Sequence, residues 1–391
     1  MTTFAGETAV VGIGATEFSK DSGRSELQLA AEAVRAALAD AGLSPSDVDG
    51  MSTFTMDTNG EIEVARAAGI GELTFFSRIH YGGGAACGVL QQAALAVAAG
   101  IAEVVVVYRA FNERSGHRFG LGTADRPVNT TTDSTRIAFT NPLGLLTPAQ
   151  QVAMFATRYM HEFGATSEDF GRVSVAMRRH AASNPQAWFY QRPITLADHQ
   201  ASRWITSPLH LLDCCQESDG AQALVVTSLE RARDLPHPPA VIAAAAQGAG
   251  ADQHMMTSYY RPSMTGLPEM GLVGRQLYAQ AGIGPADVQT AVLYDHFTPF
   301  VLTQLEELGF CQRGEARHFI ADGGIEIDGR LPVNPHGGQL GEAYIHGVNG
   351  IAEAVRQVRG TAVNQVAGVR NVLVTAGTGV PTSGAVIQGD C

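Results

Sequence analysis

The sequence predicts an α/β fold in which two related βαβ halves pack as layers, with a long insert in the first half. Three observations carry this reading. The stretch ADAGLSPSDVDG at 39–50 returns as AQAGIGPADVQT at 279–290, a constant offset of 240 residues. Short apolar runs alternate with amphipathic stretches of helical period, which implies βαβ units on a largely parallel sheet. Hydrophobic residues make up 45% of the chain and charged residues 16%, enough apolar surface for a large core and too little charge for disorder. At 391 residues the chain exceeds one ordinary core, and the repeat places the halves at 1–235 and 236–391.

The run TAVVGIG near Thr8 opens the first half as a strand, and AVIAAAA near Ala240 opens the second. Each copy of the repeated segment closes a helix at a glycine and restarts toward a strand, as glycine C-caps do. Residues 82–108 then read as a Gly-rich loop, a helix, a glycine and a strand, GGGAACGVLQQAALAVAAGIAEVVVVY. Residues 337–377 supply the counterpart, GGQLGEAYIHGVNGIAEAVRQVRG followed after a spacer by NVLVTAG. The insert at about 112–207 is polar and irregular, with a Thr-rich patch at 129–135 and a helical segment over 148–179. Such inserts shape substrate pockets or subunit contacts; a plain surface excursion has equal weight.

With 26 basic and 38 acidic residues the formal charge is -12, so no basic field exists to hold nucleic acid or an anionic membrane. The most apolar run, 93–107, is broken by Glu103 and is too short to span a bilayer. The opening MTTFAGETAVVGIG has no basic segment ahead of an apolar one, which gives the expectation of no secretory leader. Five cysteines (Cys87, Cys214, Cys215, Cys311, Cys391) without zinc-type spacing read as reduced thiols in a cytoplasmic protein that holds no metal. Gly12-Ile13-Gly14 lacks the third glycine of a dinucleotide fingerprint, Glu17 standing there, and reads as a tight turn. No nucleophile elbow, phosphate-loop lysine or HExxH is present. Cys214-Cys215 suit a buried structural role, and Cys87 suits a small core position.

Five segments carry a family likeness. CCQESDGAQALVVTS (214–228) resembles the CCPTSDGAAAA segment of sterol-carrier-type thiolases, and NPHGG-xxxxx-Tyr-xx-Gly-xx-Gly (334–350) resembles the thiolase NPxGG…GHPxGxxG motif. Tyr294-Asp295-His296-Phe297 falls where thiolases have NEAF and the sterol-carrier branch has HDCF. VGIGATEF and HAASNPQA also fit. The chain thus resembles the thiolase superfamily from end to end, which implies duplicated halves in an α/β/α/β/α core with a loop-domain insert.

Where it departs from the family is as informative. The resemblance puts Gly83 at the nucleophilic cysteine, Tyr344 at the histidine of GHP and Thr375 at the second cysteine, so the ping-pong acyl-enzyme chemistry of thiolases cannot run. Cys87 comes four residues, about one helical turn, after Gly83. Tyr344 and Tyr294 stand at two positions that face the thioester in the family. A single tyrosine is more often packed than catalytic, but two at inherited active-site positions shift the balance toward function. This pattern is closest to the steroid side-chain-cleaving aldolases of the superfamily. It implies retro-aldol cleavage of a β-hydroxyacyl-CoA, a 17-hydroxy-20-carboxyl-CoA steroid giving a 17-ketosteroid and propionyl-CoA. It further implies no cofactor, CoA being part of the substrate, and a homodimer bound to an OB-fold and zinc-ribbon partner as α2β2. Tyr344 is assigned as base for the tertiary hydroxyl and Tyr294 as proton donor near the enolate, with a swap of roles open. A phenolate at neutral pH calls for about 4 kcal/mol of help from its surroundings, and concerted transfer through the substrate hydroxyl lowers that demand. Asp295, His296 and His346 flank the pair as tuning or structural groups. The competing classes are a thiolase recruiting Cys87 and a non-catalytic acyl-CoA or lipid-binding scaffold.

Overall fold

A computed structural model describes residues 4–80, 82–116, 118, 138–254, 256–378 and 381–390. The first half runs β1 (Thr8–Ala15), α1 (Glu26–Ala41), β2 (Gly50–Phe54), α2 (Glu61–Ala68), β3 (Phe75–Ile79), α3 (Ala86–Ala98) and β4 (Val104–Asn112). The insert supplies α4 (Pro148–Phe163), α5 (Ser167–Ser183), α6 (Leu196–Ala201) and a small hairpin, β5 (Trp204–Thr206) with β6 (Leu209–His210). β7 (Asp219–Ser228) and α7 (Leu229–Ala232) end that half. The second half runs β8 (Ala240–Gly248), α8 (Pro268–Ala281), β9 (Thr290–Val292), α9 (Thr298–Glu307), α10 (Ala316–Ala321), α11 (Gly338–Gly341), α12 (Val348–Arg359), β10 (Asn371–Ala376) and β11 (Thr382–Gly389).

The repeated segments fold alike because their local chemistry is the same. α1 ends on Gly42 at φ 67° and α8 on Gly282 at φ 68°, left-handed positions that glycine adopts without penalty. A single 3₁₀ turn follows each, Pro45–Asp47 and Pro285–Asp287, and in each the aspartate bonds back to the backbone N–H three residues earlier. The strand order β3-β2-β4-β7-β1-β8-β11-β10-β9 reads almost the same from either end, as two related units joined at β1 and β8 require. That junction is short, Ala9 opposite Val241 and Val10 opposite Ala240.

The sheet is mixed, not largely parallel. β2 runs parallel to β3 and β4, and β9 to β10, whereas β7 and β11 lie antiparallel to both of their neighbours. The physical reason is topological: a strand can return beside its neighbour without a crossover helix only in the antiparallel sense, and β10 turns directly into β11. α1 covers one face of the first-half strands and α8 one face of the second, while α3 and α12 lie between the two halves of the sheet and touch strands of both. This is the five-layer α/β/α/β/α arrangement.

Gly12 and Gly14 are not in a turn. Both lie inside β1, where a Cβ would come 2.1 Å from the Ala37 carbonyl oxygen and 2.2 Å from the Ala37 nitrogen; they let α1 approach the strand. The helical segment over 148–179 proves to be two helices, broken where Gly164 takes φ 66° and Thr166 and Asp169 form a capping box. α5 packs on α9, α10 and α11 of the second half, so the insert is no surface excursion. The Thr-rich patch at 129–135 lies outside the described residues. Among the described residues no helix is long and apolar enough to cross a membrane, and no cluster of metal-ligating side chains occurs.

Candidate functional site

The segment after β9, Leu293–Phe297, crosses into the interior before α9 begins. Tyr294 is held there by its own backbone: its N–H donates to Thr375 Oγ1 at 2.9 Å and its carbonyl accepts from Gln304 Nε2 at 2.9 Å. Thr375 in turn donates to Gln304 Oε1 at 2.6 Å, closing a three-residue ring of bonds around the tyrosine main chain. Tyr344 comes from the loop between α11 and α12, its N–H donating to Ser218 Oγ at 3.0 Å. The side chains meet: the two hydroxyl oxygens are 3.0 Å apart in a hydrogen bond, and the rings are nearly perpendicular at 6.3 Å.

Gly83 explains where the Tyr294 hydroxyl goes. A Cβ at Gly83 would lie 1.7 Å from that oxygen, so the phenol fills the volume that any side chain at 83 would need. Gly347, at φ 87°, flanks the same ring. Tyr294 is almost wholly buried and Tyr344 half-buried. Burial pushes both phenols well above their ordinary acidity range, and the nearby Cys215 and Glu113 push further. Both are therefore neutral at neutral pH: the surroundings do not supply the help a phenolate would need, since desolvation dominates and the shared hydrogen bond favours ionisation of Tyr294 alone.

The flanking groups divide by role. Asp295 accepts from the backbone N–H of Gln339 at 2.8 Å and of Leu340 at 3.3 Å, fixing the start of α11, and burial raises its pKa to about 7. His296 bonds Thr378 Oγ1 at 2.9 Å and stacks on Phe300, and burial lowers its pKa to about 3, so it stays neutral. His346 lies 4.6 Å, ring to ring, from Tyr344 and sits at φ 49°, a left-handed position that a non-glycine residue adopts at a cost. Arg109 donates from Nε to His346 Nδ1 at 2.9 Å. A guanidinium only donates, so Nδ1 is the bare nitrogen and Nε2 carries the proton.

Arg109, Glu113 and Ser218 join the site without having been singled out in the sequence, and Cys215, read there as structural, joins it too. Arg109 had a visible signal, a lone charge in the apolar strand VVVVYRAF; it is fully buried, with Asp57 at 3.3 Å. Cys215 is partly exposed beside the pair, its N–H donating to the His296 carbonyl at 2.8 Å. Cys87 does not join the pair. It is fully buried on α3, its thiol faces the Val374 carbonyl at 3.9 Å, and burial pushes its acidity up, the environment of a structural thiol rather than a nucleophile. A cavity of about 730 Å³ opens apart from the tyrosines, lined by residues including Phe18, Trp188, Tyr190, Arg192, Gln222 and Arg356. Phe18 packs there on Ala343 and Ile345, the chain neighbours of Tyr344.

Residues 249–388 match the thiolase C-terminal domain-like family. The steroid side-chain-cleaving aldolase of Thermomonospora curvata is 74% identical over 390 residues, covering 100% of both chains. The 17-hydroxy-3-oxo-4-pregnene-20-carboxyl-CoA lyase of Mycobacterium tuberculosis is 71% identical over 383 residues, 98% of this chain and 99% of that one. The solved Ltp2-ChsH2(DUF35) aldolase superposes with a TM-score of 0.95 at 73% identity, covering 99% of each chain.

Proposed function

The chain belongs to the steroid side-chain-cleaving aldolases of the thiolase superfamily, and we propose that its tyrosine pair carries the retro-aldol step without covalent attachment. It is a carbon–carbon lyase acting on a steroid acyl-CoA thioester. The proposed substrate is the 17-hydroxy-3-oxo-4-pregnene-20-carboxyl-CoA for which the Mycobacterium tuberculosis relative is named, and the products are a 17-ketosteroid and propionyl-CoA.

One observation carries the mechanism, the 3.0 Å contact between two neutral phenols. Two neutral hydroxyls in contact need no phenolate, because protons can pass along them in concert. The tertiary hydroxyl gives its proton to the Tyr344 oxygen as the bond between carbinol carbon and Cα breaks. Tyr344 passes its own proton to Tyr294, and Tyr294 passes its proton to Cα. The carbinol becomes a ketone, the electron pair of the broken bond moves through the thioester enolate into the new Cα–H bond, and no net charge enters the buried site. Tyr344 takes the hydroxyl end because it is the more exposed of the two, where a bulky ring system has room. Reversing the hydrogen bond between the phenols requires only rotation of two hydroxyls.

A protein partner is in keeping with the Ltp2-ChsH2(DUF35) aldolase. The finer proposal is a homodimer carrying an acyl-CoA-binding OB-fold and zinc-ribbon protein on each chain, α2β2, in the cytoplasm. β3 supports the homodimer: it is the outermost strand of the sheet, with Phe76 62% exposed. The test is cleavage of the CoA ester by that complex, followed by product analysis. Tyr344→Phe and Tyr294→Phe each remove one oxygen from the relay, and general acid–base groups contribute roughly 10²–10⁴-fold. Each variant should lose at least that order in kcat with little change in KM, and the double variant should lose no more than the worse single. A rate within a few-fold of wild type for either Phe variant refutes the relay.

A further inference from the structure

β4 brings a carboxyl group into the same region. Its Val104, Val106, Tyr108 and Ala110 pack in the outer cluster with α1, whereas Val105 and Val107 pack in the inner cluster with α3 and α12. Strand alternation therefore turns Arg109 and Phe111 inward, and Glu113 one step beyond the strand end. Arg109 reaches His346 in that direction, and its guanidinium carbon lies 4.4 Å from the centre of the Phe111 ring. The turn that holds Glu113 is fixed, because Asp219 Oδ1 accepts from the backbone N–H of Arg114 at 2.8 Å and of Ser115 at 3.0 Å. Glu113 is only 3% exposed, and its Oε2 has no hydrogen-bond partner among the described residues. A buried carboxyl oxygen is normally satisfied, so an unsatisfied one beside a reaction centre calls for a ligand.

We propose that Glu113 is a further catalytic residue, a neutral carboxylic acid that donates a hydrogen bond to the thioester oxygen of the enolate generated by the tyrosine relay. The reading rests on the aldolase function above. Negative charge grows on that oxygen only as the carbon–carbon bond breaks, so a donor already in place favours the transition state over the bound substrate. No covalent step is involved and the proton stays on Glu113. Burial pushes the carboxyl well above its usual range, Arg109 and Lys20 oppose this, and Glu217 and Asp219 add to it. The remaining facing groups are Cys215, Tyr294 and Tyr344, all held neutral by burial. Lys20, itself weakened by burial to about 8, is the nearby cation that titrates first. The required form is the protonated one, so this contribution is present at low pH and lost as pH rises through the raised pKa.

The experiment uses the complete complex, the CoA-ester substrate and a nitroalkyl thioether of CoA whose nitronate copies the enolate. Glu113→Gln keeps shape, neutrality and an N–H donor, so it should keep kcat within about tenfold while losing the alkaline fall that wild type should show. Glu113→Leu keeps volume without a donor. It should lose roughly 10²–10³ in kcat, the usual effect of removing one oxyanion donor, with KM little changed, and should bind the nitronate correspondingly more weakly. Three results overturn the proposal: Glu113→Leu active within a few-fold of wild type, both variants losing rate only in step with melting temperature, or Glu113→Gln falling as far as Glu113→Leu while still folded. If Glu113→Leu is active and the Tyr→Phe variants are not, only this inference falls. If wild type yields no ketosteroid, the function itself falls.

Discussion

Putting a side chain back at position 83 should disable the enzyme through Tyr294. In Gly83→Ala the new Cβ would lie 1.7 Å from the Tyr294 oxygen, less than half the ordinary contact distance, so the phenol must leave its slot. Forcing it out breaks the bond to Tyr344, about 1 kcal/mol net, and overpacks the surroundings at about 1–3 kcal/mol. Stability should therefore fall by about 2–4 kcal/mol, and kcat by the roughly 10²–10⁴-fold expected for loss of an acid–base group. Tyr294→Ala empties the slot, so adding Gly83→Ala to it should cost almost nothing further in stability. That non-additivity separates a clash with Tyr294 from general damage to the loop. The assay pairs melting curves with steady-state cleavage for the two single variants and the double. Wild-type stability and rate in Gly83→Ala would refute the reasoning, as would additive losses in the double variant.

Cys87→Ala removes a fully buried thiol that faces the Val374 carbonyl rather than the tyrosine hydroxyls and should leave kcat within a few-fold of wild type. No acyl adduct on Cys87 should accumulate during turnover, which intact-protein mass spectrometry checks. Thr375→Val leaves the Tyr294 N–H and the Gln304 side chain without their shared partner, at about 1–3 kcal/mol for an unsatisfied buried group. Thr375→Ser keeps the hydroxyl and should retain most of the rate that Thr375→Val loses; equal activity in the two would show that the hydroxyl does not hold Tyr294.

The repeat was legible because it rests on local chemistry. A glycine that must be left-handed, then a proline and an aspartate that close one turn, leave the same letters in both halves at Gly42–Asp47 and Gly282–Asp287. Strand direction left no such trace. β7 returns from the insert antiparallel to both β4 and β1, and nothing in its apolar run distinguishes that from the parallel case, since a strand buried on both faces reads as a continuous hydrophobic stretch either way. Gly12 and Gly14 were misread for a related reason: a glycine needed for close helix approach looks like a glycine needed for a turn. At the site, Tyr294 and Tyr344 were reachable only through the family resemblance, as each alone looks like a packed aromatic. The protonation of the pair was beyond reach, because it depends on how deeply two loops distant in the chain bury one another.

The three positions that the resemblance aligns with the thiolase cysteines and histidine are not simply vacant here. Gly83 supplies the space that the Tyr294 hydroxyl occupies, Thr375 supplies the oxygen that fixes the Tyr294 backbone, and Tyr344 supplies the hydroxyl that Tyr294 contacts. Each change makes sense only beside the other two, so they behave as one coupled unit rather than as separate losses. A cysteine restored at 83 collides with Tyr294, and a cysteine at 375 exchanges a strong acceptor of the Tyr294 N–H for a weak one. In the proposed relay the place of the thiolate nucleophile is taken by two neutral phenols, 3.0 Å apart, that pass a proton without holding a charge.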